Sequence, residues 1–188
     1  MRKLILQMQI TVNGYVAGPN GELDWVSFEW DSELIKYTKS LTNSFDTILL
    51  GRKMTDGFIS HWTNVLKNPE DPEFDAAKKF IETPKVVFTK TLETSVWANT
   101  ILAKGDLKDE ISKIKNEEGK DIIVYGGAGF VSNLVKENLI DEYHLFVNPV
   151  AIKEGLTIFG KVQDKLNLKL VQANSFSCGI TVLHYRKN

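Results

Sequence analysis

One cysteine, Cys178, is all that this 188-residue chain contains, which excludes an internal disulfide and any zinc site built from several cysteines. The three histidines, His61, His144 and His184, lie far apart, and no pair has ligand spacing such as H-x-x-x-H. Each therefore reads as an ordinary surface or half-buried histidine, and no metal is expected. No apolar run approaches the length of a membrane span. The basic start, Met1-Arg2-Lys3-Leu4, is not followed by the unbroken apolar core of a signal peptide, because Gln7 and Gln9 interrupt it. Net charge is also small: the formal value is −1, with both signs mixed along the chain, so no overall field draws it to nucleic acid or to a membrane. The expected compartment is the cytoplasm. A G-x-G-x-x-G dinucleotide fingerprint is missing as well.

What is present is an ordinary globular composition, 43% apolar and 25% charged, at a length that fits one domain, residues 1–188. No linker, repeat or low-complexity tract divides it. The organising stretch is Ile122-Ile123-Val124-Tyr125-Gly126-Gly127-Ala128-Gly129-Phe130. Its β-branched run predicts a short buried strand, and Phe130, Val131, Leu134 and Val135 predict a helix just after it. Strand, glycine turn and helix together aim free N–H groups and a positive dipole at an anion. Without side chains at Gly126 and Gly127, a ligand can approach the backbone closely. A plain tight turn is the competing reading of these residues taken alone.

Taken in order, Leu4, Leu6, Met8, Ile10 and Val12 alternate with Gln7, Gln9 and Thr11, predicting a first strand with one core face and one face open to a ligand. A turn-rich loop follows, from Asn13-Gly14 past Gly18-Pro19-Asn20-Gly21 to Trp25. Trp25, Phe28 and Trp30 read as core aromatics or as the lining of a pocket for a flat ring. A helix is expected from Asp31 or Ser32, with Leu34, Tyr37, Leu41 and Phe45 as its buried stripe. Asp46–Gly51 is a second strand, and its glycine leads into Arg52-Lys53-Met54-Thr55, a second strand–glycine–helix junction that carries two cations. Asp71 and Pro72 predict a helix start that ends at Thr83-Pro84. Lys85–Thr89 is a third strand, and Thr100–Ala103 a short fourth one. A helix from Asp106 is expected to stop at Gly119. After the central junction comes a strand from Glu142 to Val150, whose Pro149 places its end near a sheet edge. The segments 168–176 and 180–185 form a closing hairpin. The pattern is α/β, a mostly parallel sheet with an antiparallel edge.

The order of these pieces resembles the dihydrofolate reductase-like superfamily, and most closely the reductase domain of the bifunctional deaminase–reductase of riboflavin biosynthesis. Thr11-Val12-Asn13-Gly14-Tyr15-Val16-Ala17 is similar to that family's S-L-D-G-x-I-A segment. Leu50-Gly51-Arg52-Lys53 resembles its G-R turn, Val87-Phe88-Thr89-Lys90 its strand ending in a hydroxyl and a base, and Val124-Tyr125-Gly126-Gly127 its paired glycines. Leu139–Tyr143, Asn148-Pro149-Val150 and Leu156–Phe159 resemble its L-V-D-E, P-V and L-F stretches. The resemblance spans nearly the whole chain and implies a three-layer α/β/α fold. It also implies an NADPH-dependent reductase of a small pyrimidine or pterin-like compound, acting as a homodimer. On it, Gly51, Arg52, Lys53 and Thr55 would meet the cofactor phosphates, Thr89 and Lys90 the 2′-phosphorylated ribose, and Gly126, Gly127, Ala128 and Gly129 the pyrophosphate and nicotinamide. Asp31 and Asn13 stand as catalytic candidates, and Tyr15, Trp25 and Lys153 as substrate contacts. Helix capping is the structural alternative for Asp31, and core packing the alternative for Trp25. The chain departs from the pattern where Asn13 replaces an aspartate, where Met54 replaces a threonine, and in the loop Ala151–Gly155. Dihydrofolate reductase itself and a nucleotide-binding module without turnover are the alternative functions.

Overall fold

The computed structural model describes residues 1–188. The alternating apolar segment forms β1 (Leu4–Thr11), which is followed by α1 (Ser32–Ser44), β2 (Phe45–Gly51) and α2 (Arg52–Val65). Next come α3 (Phe74–Glu82), β3 (Lys85–Phe88), β4 (Thr100–Ala103) and α4 (Leu107–Asn116). The chain closes with β5 (Asp121–Gly126), α5 (Ala128–Lys136), β6 (Glu142–Asn148), β7 (Leu168–Ser175) and β8 (Thr181–Lys187). All eight strands share one sheet in the order β4-β3-β2-β5-β1-β6-β8-β7. The first six in that order run parallel, β8 runs antiparallel to β6 and β7 antiparallel to β8, so the expected antiparallel hairpin closes a mostly parallel sheet.

The period of two along β1 explains the layering. Leu4, Leu6, Met8 and Ile10 point to one face, where they join Ile111 and Ile114 of α4 and Val131, Leu134 and Val135 of α5. Ile5 points to the other, with Leu41 of α1, Phe58 of α2 and Phe80 of α3. The central strands are covered on both faces, which is why β2 and β5 read as unbroken apolar runs. A smaller cluster of Leu34, Phe146, Ile180 and Val182 fastens the start of α1 to β6 and β8.

Several local expectations are corrected. The third helix begins at Phe74, not at Asp71, because Asp71 turns the chain first: its carboxylate accepts from the Glu73 N–H at 2.9 Å. The fourth ends at Asn116, before Gly119, whose φ of +148° lets the chain pass Asp46 and Arg2. The strand at Glu142–Asn148 is interior, between β1 and β8; the sheet edges are β4 and β7. Val12 and Phe28 are exposed and belong to no core.

Candidate active site

The carboxyl ends of the six parallel strands lie along one edge of the sheet, and strand order decides which loops become neighbours. In register, Gly51 pairs with Phe88 and Leu50 with Gly126. Thr89-Lys90, Gly51-Arg52-Lys53 and Gly126–Gly129 therefore stand side by side at the ends of β3, β2 and β5. Beyond them come the turn after β1, with Asn13 and Tyr15, and the loop after β6, with Lys153.

At the centre of this edge two helices begin together. The helices α1 and α4 have aspartate N-caps, Asp31 and Asp106, whose carboxylates bond first-turn N–H groups. The helices α2 and α5 start at Gly51 and Gly127, with no side-chain cap and no acid in the first turn. Their backbones are in close contact: a Cβ added at Gly51 would lie 2.9 Å from Phe130 Cβ and 3.1 Å from the Gly127 nitrogen. Gly126 has a φ of +144°, a Cβ added there would lie 2.8 Å from Met54 Sδ, and the Gly126–Gly127 peptide is cis. Two uncapped positive dipole ends at a glycine-lined backbone junction suit a diphosphate.

The cations around that cradle differ in their freedom. Arg52 lies 5.6 Å over the Trp97 ring, and its Nη1 is 3.2 Å from Asp56, whose other oxygen accepts from Trp97 Nε1 at 3.0 Å. The buried Arg52 Nε has no partner. Lys53 is exposed and makes no ion pair, and the Lys90 ammonium donates to the carbonyls of Lys104 and Gly105. Thr89 is buried, and its Oγ1 accepts from the N–H groups of Thr91 and Leu92. Thr55 is turned inward: it is wholly buried and its hydroxyl donates to the Gly51 carbonyl at 3.2 Å, so it braces α2 and does not face a ligand. The i, i+4 pairing of Arg52 with Asp56 was legible as a helix spacing, whereas nothing in the sequence pointed to Trp97.

The two catalytic candidates are both hydrogen-bonded within the protein. One Asp31 oxygen accepts from the Leu34 N–H at 2.9 Å; the other takes the Ser177 hydroxyl at 2.7 Å and the Cys178 N–H at 3.0 Å. These bonds, the Leu34 amide foremost, hold its carboxyl well below the ordinary range, at about 2. The residue caps α1 and ties it to the β7–β8 turn. Asn13 accepts from the Thr11 hydroxyl at 2.8 Å and donates to the Ile152 carbonyl at 2.7 Å, fixing the loop after β6. That loop also packs against the Tyr15 segment, where Leu156 and Ala17 form a β-bridge. Tyr15 and Trp25 are half-buried, and Trp25 Nε1 is buried without a partner. Lys153 is exposed. A chain of bonds that the sequence did not suggest, Gln9 Oε1 to Asn148 Nδ2 (2.8 Å) and Asn148 Oδ1 to the Ser27 N–H (3.4 Å), secures the segment between Trp25 and α1.

The family model for the RibD C-terminal domain matches residues 2–182. The chain belongs to this family. It is 33% identical to the Bacillus subtilis (strain 168) protein YyaP over 189 aligned positions, covering 100% of this chain and 96% of that protein. Among solved structures, a candidate riboflavin biosynthesis protein from Shewanella sp. PV-4 superimposes with a TM-score of 0.74 at 21% identity, covering 100% of this chain and 99% of that one. A dihydrofolate reductase from Enterococcus faecalis, in complex with NADP(H), has the same fold with a TM-score of 0.64 at 14% identity, covering 99% of this chain and 96% of that one. The three-layer reading of the RibD-like sequence thus holds for the whole sheet.

Proposed function

We propose that this chain is an NADPH-dependent reductase of a small pyrimidine or pterin-like heterocycle, similar to the 5-amino-6-(5-phosphoribosylamino)uracil reductase of riboflavin biosynthesis. In this reading residues 1–188 form one reductase domain that works as a cytoplasmic homodimer. The observation that carries it is the meeting of two uncapped helix N-termini, at Gly51 and Gly127, so close that a Cβ at Gly51 would strike Phe130 and the Gly127 nitrogen. NADPH supplies the hydride when bound. The chain's own residues bind and orient. The amides at the starts of α2 and α5 receive the diphosphate, and Arg52, Lys53 and Lys90 receive the 2′-phosphate. Tyr15 and Trp25 cover the reacting rings and exclude water. Family membership and the NADP(H) complex of a protein with the same fold support the reading.

Dihydrofolate reductase is the weaker alternative, because both oxygens of Asp31, the one acid placed to orient a pterin, are already bonded within the protein. A module without turnover would bind the cofactor and never oxidise it.

The test is a titration with NADPH and NADH, followed by energy transfer from tryptophan to the nicotinamide. NADPH is expected to bind at least tenfold more tightly than NADH. Arg52→Ala is expected to lose about 10- to 100-fold for NADPH, the worth of a hydrogen bond to a charged group, and much less for NADH. Equal affinity for the two cofactors overturns the assignment.

A further inference from the structure

On the face of the sheet covered by α1, three ligand-type side chains converge well away from the carboxyl edge. Antiparallel pairing sets His144 of β6 directly opposite His184 of β8, and their rings stack with centroids 4.0 Å apart at 17°. Glu142, two residues before His144 on β6, points to the same face. Its Oε2 is 3.2 Å from His184 Nε2 and 3.9 Å from His144 Nε2, and one donor atom from each residue lies within 4.8 Å of the others.

We propose that Glu142, His144 and His184 bind one divalent transition-metal ion of the zinc type, which clamps β8 to β6. The strongest reason is His144. Its side chain is only 8% exposed, and its Nε2 is buried with no hydrogen-bond partner, facing the carboxylate and the second imidazole. A buried polar atom without a partner is costly, and a metal removes that cost. The other ring nitrogen, Nδ1, is 2.5 Å from the Tyr37 hydroxyl, the outer-shell contact that fixes ring orientation and tautomer in metal sites. Lys3 holds the other Glu142 oxygen at 2.7 Å, leaving Oε2 turned toward the imidazoles.

Two imidazoles and one carboxylate suit zinc, cobalt, nickel or copper, not calcium or magnesium, which prefer all-oxygen shells. Tetrahedral zinc bonds of about 2.0–2.1 Å put donor atoms about 3.3 Å apart. The His184–Glu142 pair already meets that spacing, and closing the His144 pair from 3.9 Å requires side-chain rotation that also turns the two stacked imidazoles toward a shared ion. With side chains of His184 and Glu142 16% and 19% exposed, solvent can supply a fourth ligand. The ion would cross-link the antiparallel end of the sheet, on which β7 depends. It would lie about 13 Å along β6 from Asn148, at about 3.3 Å per residue, and apart from the nucleotide cradle.

The test uses the full chain, stripped with EDTA and titrated with zinc against a chromophoric chelator, with thermal unfolding recorded with and without the ion. Zinc is expected to bind one per chain and to raise the unfolding temperature, and cobalt to give the visible spectrum of a tetrahedral site. His184→Gln and Glu142→Gln should each weaken zinc by more than about 100-fold, beyond the effect of outer-shell changes, and Tyr37→Phe by about tenfold. All three should leave NADPH binding unchanged. An unfolding temperature indifferent to zinc overturns the proposal, as does zinc affinity preserved in both ligand variants. Should one variant fail to fold, the other and the cobalt spectrum of the unaltered chain decide.

Discussion

At the scale of single residues, Asp31 and Asn13, the catalytic candidates, are held by hydrogen bonds to nearby backbone and hydroxyl groups. Asp31 bonds Leu34, Ser177 and Cys178, so its charge stabilises the junction of α1 with the closing hairpin. Its folded pKa of about 2 lies below the ordinary value of 3.8. A depressed carboxylate contributes stability that is present in full above its unfolded pKa and is lost as the pH falls through the folded one. Wild-type stability should therefore decline between pH 3.8 and about 2 by more than that of Asp31→Asn, with the two converging at the acid end. At neutral pH the variant should unfold a few degrees lower and keep its affinity for NADPH. Parallel acid and heat unfolding curves check both points, and a large loss of affinity would return Asp31 to the site.

Among elements, the decisive feature is how α2 and α5 start. Glycine at an N-cap is a weaker stop than aspartate or serine, yet here it lets two helix ends meet where a side chain would separate them. Gly51→Ala drives a Cβ against Phe130 Cβ and the Gly127 nitrogen, neither of which can swing aside. It should cost about 1–3 kcal/mol, as overpacking does, and lower NADPH affinity by more than tenfold. Gly57→Ala, within α2 and with nothing within 4 Å of the added carbon, is the matched control. It should raise stability by about 0.5–1 kcal/mol and leave affinity untouched. Denaturant unfolding together with cofactor titration measures both variants. Similar behaviour of the two would mean that the junction is only a turn.

For the whole molecule, the sheet has two edges, the four-residue β4 and the eight-residue β7. The edge strand β7 is exposed along most of its length, with Leu170 and Val171 51% and 50% exposed. An open apolar edge invites pairing with another chain. The homodimer of the proposed function would use this edge, not the interior strand β6. Sedimentation should show a dimer, and Val171→Lys should shift it to monomer without unfolding it. A monomer before substitution sets this arrangement aside.

Periodicity and turn chemistry were sufficient to read the strands, most of the helices and the glycine junctions, because those signals act between residues close in the chain. The helix–strand alternation and the closing hairpin gave the sheet's mixed character, and the ordered motifs brought the RibD-like family into view. Helix starts shifted by a few residues wherever a loop side chain, such as Asp71, bonded the backbone first. The interior position of β6, between β1 and β8, came only from the tertiary structure, since strand order depends on crossovers between distant segments. The same limit governs side-chain partners. Trp97 beneath Arg52 and Ser177 on Asp31 are brought together only by folding. So is His184 beside His144: forty positions of chain separate two rings that the β6–β8 register lays face to face. Local sequence decides which elements form and how they end; long-range packing decides which side chains meet.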